Sequence, residues 1–138
     1  MIIADTGFFL ALASVSDRHH ERALAVGARL REPLVTTWPV MTETCHLLAT
    51  RIGVHAELAY AKSFVDGAFR SFTLSEVHGP RVLELMTRYA DLPMDLADAS
   101  LVVLAEELGS GRILSTDERD FHSYRWKRRK PFRNLLLT

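Results

Sequence analysis

Apolar residues in this chain follow two patterns, short unbroken runs and longer stretches with helical spacing. Ile2-Ile3-Ala4 and Ile113-Leu114 are brief and continuous, and predict strands from Ile2 to Asp5 and from Arg112 to Thr116, buried on both faces of a sheet. Leu34 to Thr36, after Pro33, predicts another short strand, and Ser71-Phe72-Thr73-Leu74 alternates like one. Pro131 to Leu137 fits a last strand at a sheet edge. Between these runs, Thr6 to Ser14 is apolar enough to be a helix packed behind the first strand. Asp17 is the predicted N-cap of a second helix through Leu30. Met41, Cys45, Leu48 and Ile52 recur at helical spacing on a third helix, which Gly53 ends. About His55 to Phe69 predicts a fourth, joined to the third by a tight turn. Pro80 starts a helix running to about Asp91, and another spans about Asp95 to Leu108 before Gly109.

Strands that alternate with helices imply an α/β fold with a mostly parallel sheet rather than a helical bundle. No repeat, low-complexity segment or linker interrupts the pattern, so residues 1–138 are expected to form one domain.

Composition narrows the class. At 48% hydrophobic residues the chain has enough apolar side chain for a core without disulfides, and its one cysteine, Cys45, cannot form an intrachain bridge. No signal-like segment stands at the start, and no apolar stretch nears the 18 or so residues that a membrane span needs. These features predict a cytoplasmic protein with no membrane partner. The formal net charge of zero conceals an asymmetry: residues 1–120 carry −6 and the last eighteen +6.

The acids are placed with more consequence than any other residue type. Asp5 ends the first apolar run and Asp117 follows Ile113-Leu114-Ser115-Thr116, so both sit at the carboxyl ends of predicted buried strands. In open α/β sheets ligand crevices form at that edge. Two like charges about 5 Å apart repel by roughly 3 kcal/mol at an effective dielectric near 20. A hard cation with oxygen ligands, Mg²⁺ or Mn²⁺, is the simplest compensation. Each acid also has a plainer reading. Asp5, before Thr6-Gly7, fits a helix cap, and Asp117 opens a turn-like Asp-Glu-Arg-Asp stretch. Glu43 lies off the centre of its helix's apolar stripe and fits a solvated position. Asp95, one turn before Asp98, fits an N-cap. Asp98 resists a plain reading, because its helix is apolar nearly all round and an unpaired buried carboxylate is costly. A metal, a buried Arg or a protonated state would each resolve that cost.

The order and spacing of these residues resemble the PIN-domain ribonucleases, and within them the VapC-type toxins of bacterial toxin–antitoxin pairs. The resemblance runs from Ile2-Ile3-Ala4-Asp5 through Thr42-Glu43 and Asp95-Leu96-Ala97-Asp98-Ala99-Ser100-Leu101 to Thr116-Asp117-Glu118-Arg119-Asp120-Phe121. It implies a PIN-like three-layer α/β/α sandwich with a short, mostly parallel central sheet, and a Mg²⁺-dependent (or Mn²⁺-dependent) endoribonuclease. By the resemblance Asp5, Glu43, Asp98 and Asp117 form the acidic quartet. Asp5, Asp98 and Asp117 would hold the ion, and Glu43 would flank it. Asp120 is a candidate fifth acid. Thr116, ahead of Thr6, would orient a carboxylate or water as a supporting hydroxyl, with Asp95 a further supporting candidate. Expected partners are an RNA substrate, a cognate antitoxin protein and a second copy of the chain.

Other chemistries find little footing. No Gly-rich phosphate loop is present, and Cys45 with six scattered histidines has no zinc spacing. His19 and His20 are adjacent and diverge by about 100° on a helix, so one ion cannot easily take both. His122 lies near the acids, where contact with substrate is one reading and an ordinary loop position the better one. A strand-end Asp5 also suits phosphoacceptor chemistry, but residue 7 is Gly where such phosphatases need a second aspartate, and no lysine follows a late strand.

The segment Arg125-Trp126-Lys127-Arg128-Arg129-Lys130-Pro131-Phe132-Arg133 interleaves aromatics with cations. It suits RNA, with Arg119, Arg125, Lys127, Arg128, Arg129 and Lys130 the candidate contacts. It equally suits a solvated edge whose Trp packs inward. In a different class of function, the chain is a non-catalytic PIN-like module that binds RNA or protein.

Overall fold

Strand β1, Ile2–Ala4, is buried at all three residues, as a strand paired on both edges must be. It lies between β2, Leu34–Thr37, and β4, Arg112–Leu114. Ile3 is registered against both Val35 and Ile113. The computed structural model describes residues 1–137. Its five-stranded sheet has the order β3-β2-β1-β4-β7, with β3 at Arg70–Phe72 and β7 at Arg133–Asn134, and every pairing in it is parallel.

Helices α1, Thr6–Ala13, and α2, His20–Arg29, connect β1 to β2. Helices α3, Trp38–Arg51, and α4, Val54–Val65, connect β2 to β3. Both crossovers step the same way along the sheet, so their right-handedness puts the four helices on one face. The return from β3 to β4 crosses β2 and β1 and carries α5, Gly79–Arg88, and α6, Leu96–Leu108, on the other. The result is the expected layered α/β arrangement. Strand order reverses between β1 and β4, which makes their carboxyl ends the topological switch point where crevices open.

The core explains these choices. Ile3, Phe8, Leu101, Leu104, Ile113 and Leu114 are fully buried, and so is nearly every residue of α6 from Ala97 to Ala105. Asp95 caps α6, its Oδ1 accepting the Asp98 N–H at 2.8 Å, and Gly109 ends it in the left-handed region at φ 67°.

Several boundaries differ from the sequence reading. Helix α2 begins at His20, because Asp17 spends its carboxylate on the His19 N–H in the preceding turn. Helix α4 stops at Val65. Phe69, beyond it, turns into a buried ring cluster with Phe9, Tyr60 and Phe64. The last strand of the sheet is only Arg133–Asn134. Before it come a one-turn helix, α7, Asp120–Ser123, and a small hairpin of β5, Arg125–Trp126, with β6, Lys130–Pro131. The hairpin's turn places Lys127 and Arg128 at positive φ, an uncommon backbone region for non-glycine residues.

Candidate active site

At the end of β1, Asp5 continues the ladder: its N–H reaches the Leu114 carbonyl at 3.1 Å. That bond brings it alongside the end of β4. Its carboxylate does two things at once. Oδ1 caps α1 by accepting the Thr6 N–H at 2.8 Å, and Oδ2 accepts the Ser115 hydroxyl at 2.9 Å. Ser115 Oγ in turn accepts the Asp117 N–H at 3.0 Å, so one buried hydroxyl ties together the two strand-end acids. The Asn134 side chain on β7 fixes Ser115, bonding its carbonyl at 2.9 Å and its N–H at 3.3 Å.

Asp117 spends Oδ1 on the N–H groups of Arg119 and Asp120, 3.1 and 2.9 Å away, which turns the chain into α7. On α6, half-buried Asp98 accepts the hydroxyl of the fully buried Tyr124 at Oδ2, 2.9 Å away. Glu43, half-buried on α3, is near enough for its charge to act on Asp5.

The charges of these acids act on one another. Burial pushes Asp5 up to about 6 against its two donors, and the charges of Glu43 and Asp117 add to the rise. Asp98 is pushed to about 8, by burial first and then by Asp95, Asp5 and Asp117. Asp120 rises to about 6 through burial and a carboxyl–carboxyl hydrogen bond with Asp117. Among the described residues no ion pair involves Asp5, Glu43, Asp95, Asp98, Asp117 or Asp120. The buried Arg that would have answered Asp98's cost is not there.

The donor set is all oxygen, which suits a hard divalent cation. The arrangement is looser than a finished ligand shell: among the described residues, no three His, Cys, Asp or Glu side chains are drawn together closely enough to hold one ion.

The supporting residues sort differently from expectation. Thr6 gives its N–H to Asp5, but its hydroxyl bonds Val40 O at 3.4 Å and accepts from Thr44 at 3.2 Å, joining α1 to α3. The Thr116 hydroxyl packs against the first turn of α1, where a Cβ on Gly7 would come within 1.9 Å of it. Only glycine allows that approach. The hydroxyl that serves the acids belongs to Ser115, which the sequence reading passed over; its signal was one polar residue closing an apolar strand two places before the acid. Asp95 is exposed and caps α6, as its plainer reading held, while its charge also acts on Asp98.

The basic segment lies elsewhere. Trp126 packs inward, into space a side chain on Gly111 would fill, and donates to the Pro131 carbonyl at 3.0 Å. Lys127 and Lys130 sit over its ring at 5.9 and 5.0 Å, and Arg128 meets Glu84 at 3.3 Å. Arg125 donates to the carbonyls of His122, Ser123 and Tyr124 at 2.9 to 3.1 Å. The hairpin packs against α6 near Glu106, about 12 Å along the helix from Asp98. Arg129 is exposed on its tip, whereas Arg119 is beside the acids. Asp117 itself stands between two open cavities of about 580 Å³ each, one of which Arg18, His19 and Arg119 line.

Five parallel strands with acids at the switch point meet a match in known proteins. The family model of the PIN domain matches residues 2–127. The chain belongs to the PIN-domain family. It is 31% identical over 124 residues to "Ribonuclease VapC26" of Mycobacterium tuberculosis (strain ATCC 25618 / H37Rv), a match spanning 90% of this chain and 92% of that one. The PIN fold is also that of the solved Mycobacterium tuberculosis VapC20, a "Sarcin-Ricin loop cleaving toxin", with a TM-score of 0.80 at 23% identity over 86% of this chain and 92% of the other. Among the described residues of this PIN chain, no helix is long and apolar enough to cross a membrane.

Proposed function

We propose that this chain is a divalent-metal-dependent endoribonuclease, the toxin of a type II toxin–antitoxin module, acting in the cytoplasm. One observation carries the reading: at the switch point of the sheet three carboxylates, Asp5, Asp98 and Asp117, accept from hydroxyl and N–H donors and, among the described residues, meet no cationic side chain, and burial pushes the pKa values of Asp5 and Asp98 up to about 6 and 8. A fold rarely keeps such groups without a ligand that relieves them. The names of its relatives, a ribonuclease and an RNA-cleaving toxin, support the same class.

Asp5, Asp98 and Asp117 would hold Mg²⁺ or Mn²⁺, with Glu43 and Asp120 beside them. A divalent ion there supplies positive charge for the phosphate and lowers the pKa of water for in-line attack. The residues of the chain do the rest. Ser115 keeps Asp5 and Asp117 in register, Tyr124 fixes one oxygen of Asp98, and Asp95 pins the helix turn that carries Asp98. Arg119 and Arg18 would meet RNA phosphates beside an otherwise negative cleft. The hairpin cations Arg125, Lys127, Arg128, Arg129 and Lys130 would at most add long-range attraction. An antitoxin would cover the acids with a cationic side chain. A row of outward apolar residues on α4, Val54, Leu58 and Val65, supports pairing with a second copy.

The test is cleavage of a structured RNA mixture by wild type and Asp98→Asn in Mg²⁺, Mn²⁺ and EDTA, with folding of both proteins checked. Cutting by the wild type alone, and only with metal, is expected. RNA binding that persists in EDTA without any cutting would make the chain a non-catalytic binding module instead.

A further inference from the structure

Of the acids assigned to the ion, only Asp117 borders the second of the two open cavities. Its volume is about 580 Å³, within the range of pockets that enclose a small organic ligand. Its wall is aromatic: half-buried Phe132 stands edge-to-face on buried Phe121, ring centroids 5.2 Å apart at 81°. Leu137 extends the apolar side, and exposed His122 and Arg133 form part of the rim. Among the described residues, neither rim side chain has an ion-pair or hydrogen-bond partner, unlike Arg125, Arg128 and Arg112, which are all engaged.

The charges indicate how an occupant would lie. Asp117 and Glu118 line the same cavity and would repel a phosphate placed inside it. A neutral flat ring suits the interior, while the unpartnered guanidinium of Arg133 suits a phosphate at the mouth. A ring on an aromatic wall with its phosphate outside is the shape of one nucleotide in an unpaired strand. Because Asp117 borders both cavity and acid cluster, that nucleotide would be next to the bond being cut.

On these grounds we propose that the cavity is a nucleobase subsite, which takes the base of the RNA nucleotide adjoining the scissile phosphodiester, with Phe132 as its stacking platform and Arg133 at its phosphate. The proposal rests on the endoribonuclease reading.

The experiment uses an end-labelled RNA oligonucleotide with one bond that the wild type cuts, and two versions in which the nucleotide on either side of that bond is abasic. Wild type should lose about tenfold or more in kcat/KM on one abasic RNA, in line with what stacking of one base contributes. Phe132→Leu should lose a similar factor on intact RNA and nothing further on that abasic RNA. Should Phe132→Leu melt well below wild type, His122→Ala and Arg133→Ala, both at exposed positions, replace it; Arg133→Ala should raise KM several-fold with kcat kept. Equal cutting of all three RNAs by wild type would overturn the subsite, as would losses that simply multiply between variant and abasic RNA. Unchanged cleavage in every variant, with loss only of binding to a protein partner, would assign the cavity to that partner and overturn the proposal too. If wild type cuts no RNA at all, the endoribonuclease reading falls first and the subsite with it.

Discussion

The two ends of the central sheet treat their carboxylates in opposite ways. At the amino ends of β1 and β4, Glu32 is gripped by both Nη atoms of Arg112, at 2.5 and 2.7 Å, and by the Met1 amine at 3.3 Å. These donors hold its carboxyl down to about 2 although it is open to solvent. At the carboxyl ends of the same strands, Asp5 and Asp98 are pushed up to about 6 and 8, by burial first and then by neighbouring carboxylates, Glu43 and Asp117 for Asp5 and Asp95 and Asp5 for Asp98. Glu106, away from both ends on α6, is also paired, bidentately with Arg81 at 2.9 and 2.7 Å. Glu32 and Glu106 are thus paired where an ion pair fastens the fold, whereas among the described residues Asp5, Asp98 and Asp117 have no cationic partner at the edge where ligands enter, although Glu118 there meets Arg18 at 3.7 Å. Unpaired acids at that edge cost folding stability, and a bound cation would return it.

Removing an acid at the carboxyl end should break the contrast most severely. Asp5→Asn and Asp98→Asn should each lower RNA cleavage by more than about a hundredfold, beyond what loss of an orienting neighbour costs. The same assay should find Arg112→Ala within about twofold of wild type.

Next in size are the groups that aim the acids. Ser115→Ala and Tyr124→Phe remove one hydroxyl each from Asp5 and Asp98, and should weaken Mn²⁺ binding, followed by calorimetry, by about 10–100-fold. Thr116→Val should stay close to wild type in that titration, since its hydroxyl packs on α1 rather than on an acid.

Smaller still is an effect on stability with a definite sign. A carboxyl whose folded pKa lies above its unfolded value binds more protons in the folded state, so it lowers stability as pH climbs from about 4 to about 8. In EDTA the melting temperature should therefore fall over that window, and Asp98→Asn should flatten the fall. At pH 9 the variant should melt higher than wild type, on the order of 5 °C, a figure kept modest because solvent reaches Asp98. The smallest effect is at the paired end: Arg112→Ala should move the melting temperature by about 2 °C or less, because its partner is on the surface.

Much of this contrast was legible in the residues. Continuous apolar runs at Ile2-Ile3-Ala4 and Ile113-Leu114 located the central strands, and Asp95 with Gly109 bracketed α6, because burial and capping are written locally. Asp5 and Asp117 could be placed as neighbours since parallel strands bring their ends together. Contacts between distant positions were not legible. Tyr124 meets Asp98 across 26 residues, and Ser115 meets Asp5 across 110, with no periodicity to announce either. The basic segment left two readings open for a related reason: charge density is visible in sequence, but choosing the inward turn of Trp126 and docking the hairpin on α6 depend on Gly111 and Glu106.

Whether the carboxyl-end acids are left unpaired for a divalent ion is decided by thermal melting of wild type and Asp98→Asn against Mn²⁺ concentration at pH 7.5. The wild type should gain stability with Mn²⁺, by about 2.7 kcal/mol at a hundredfold excess over the dissociation constant, and Asp98→Asn should gain far less. Equal gains in the two proteins, or none in the wild type, would contradict the account.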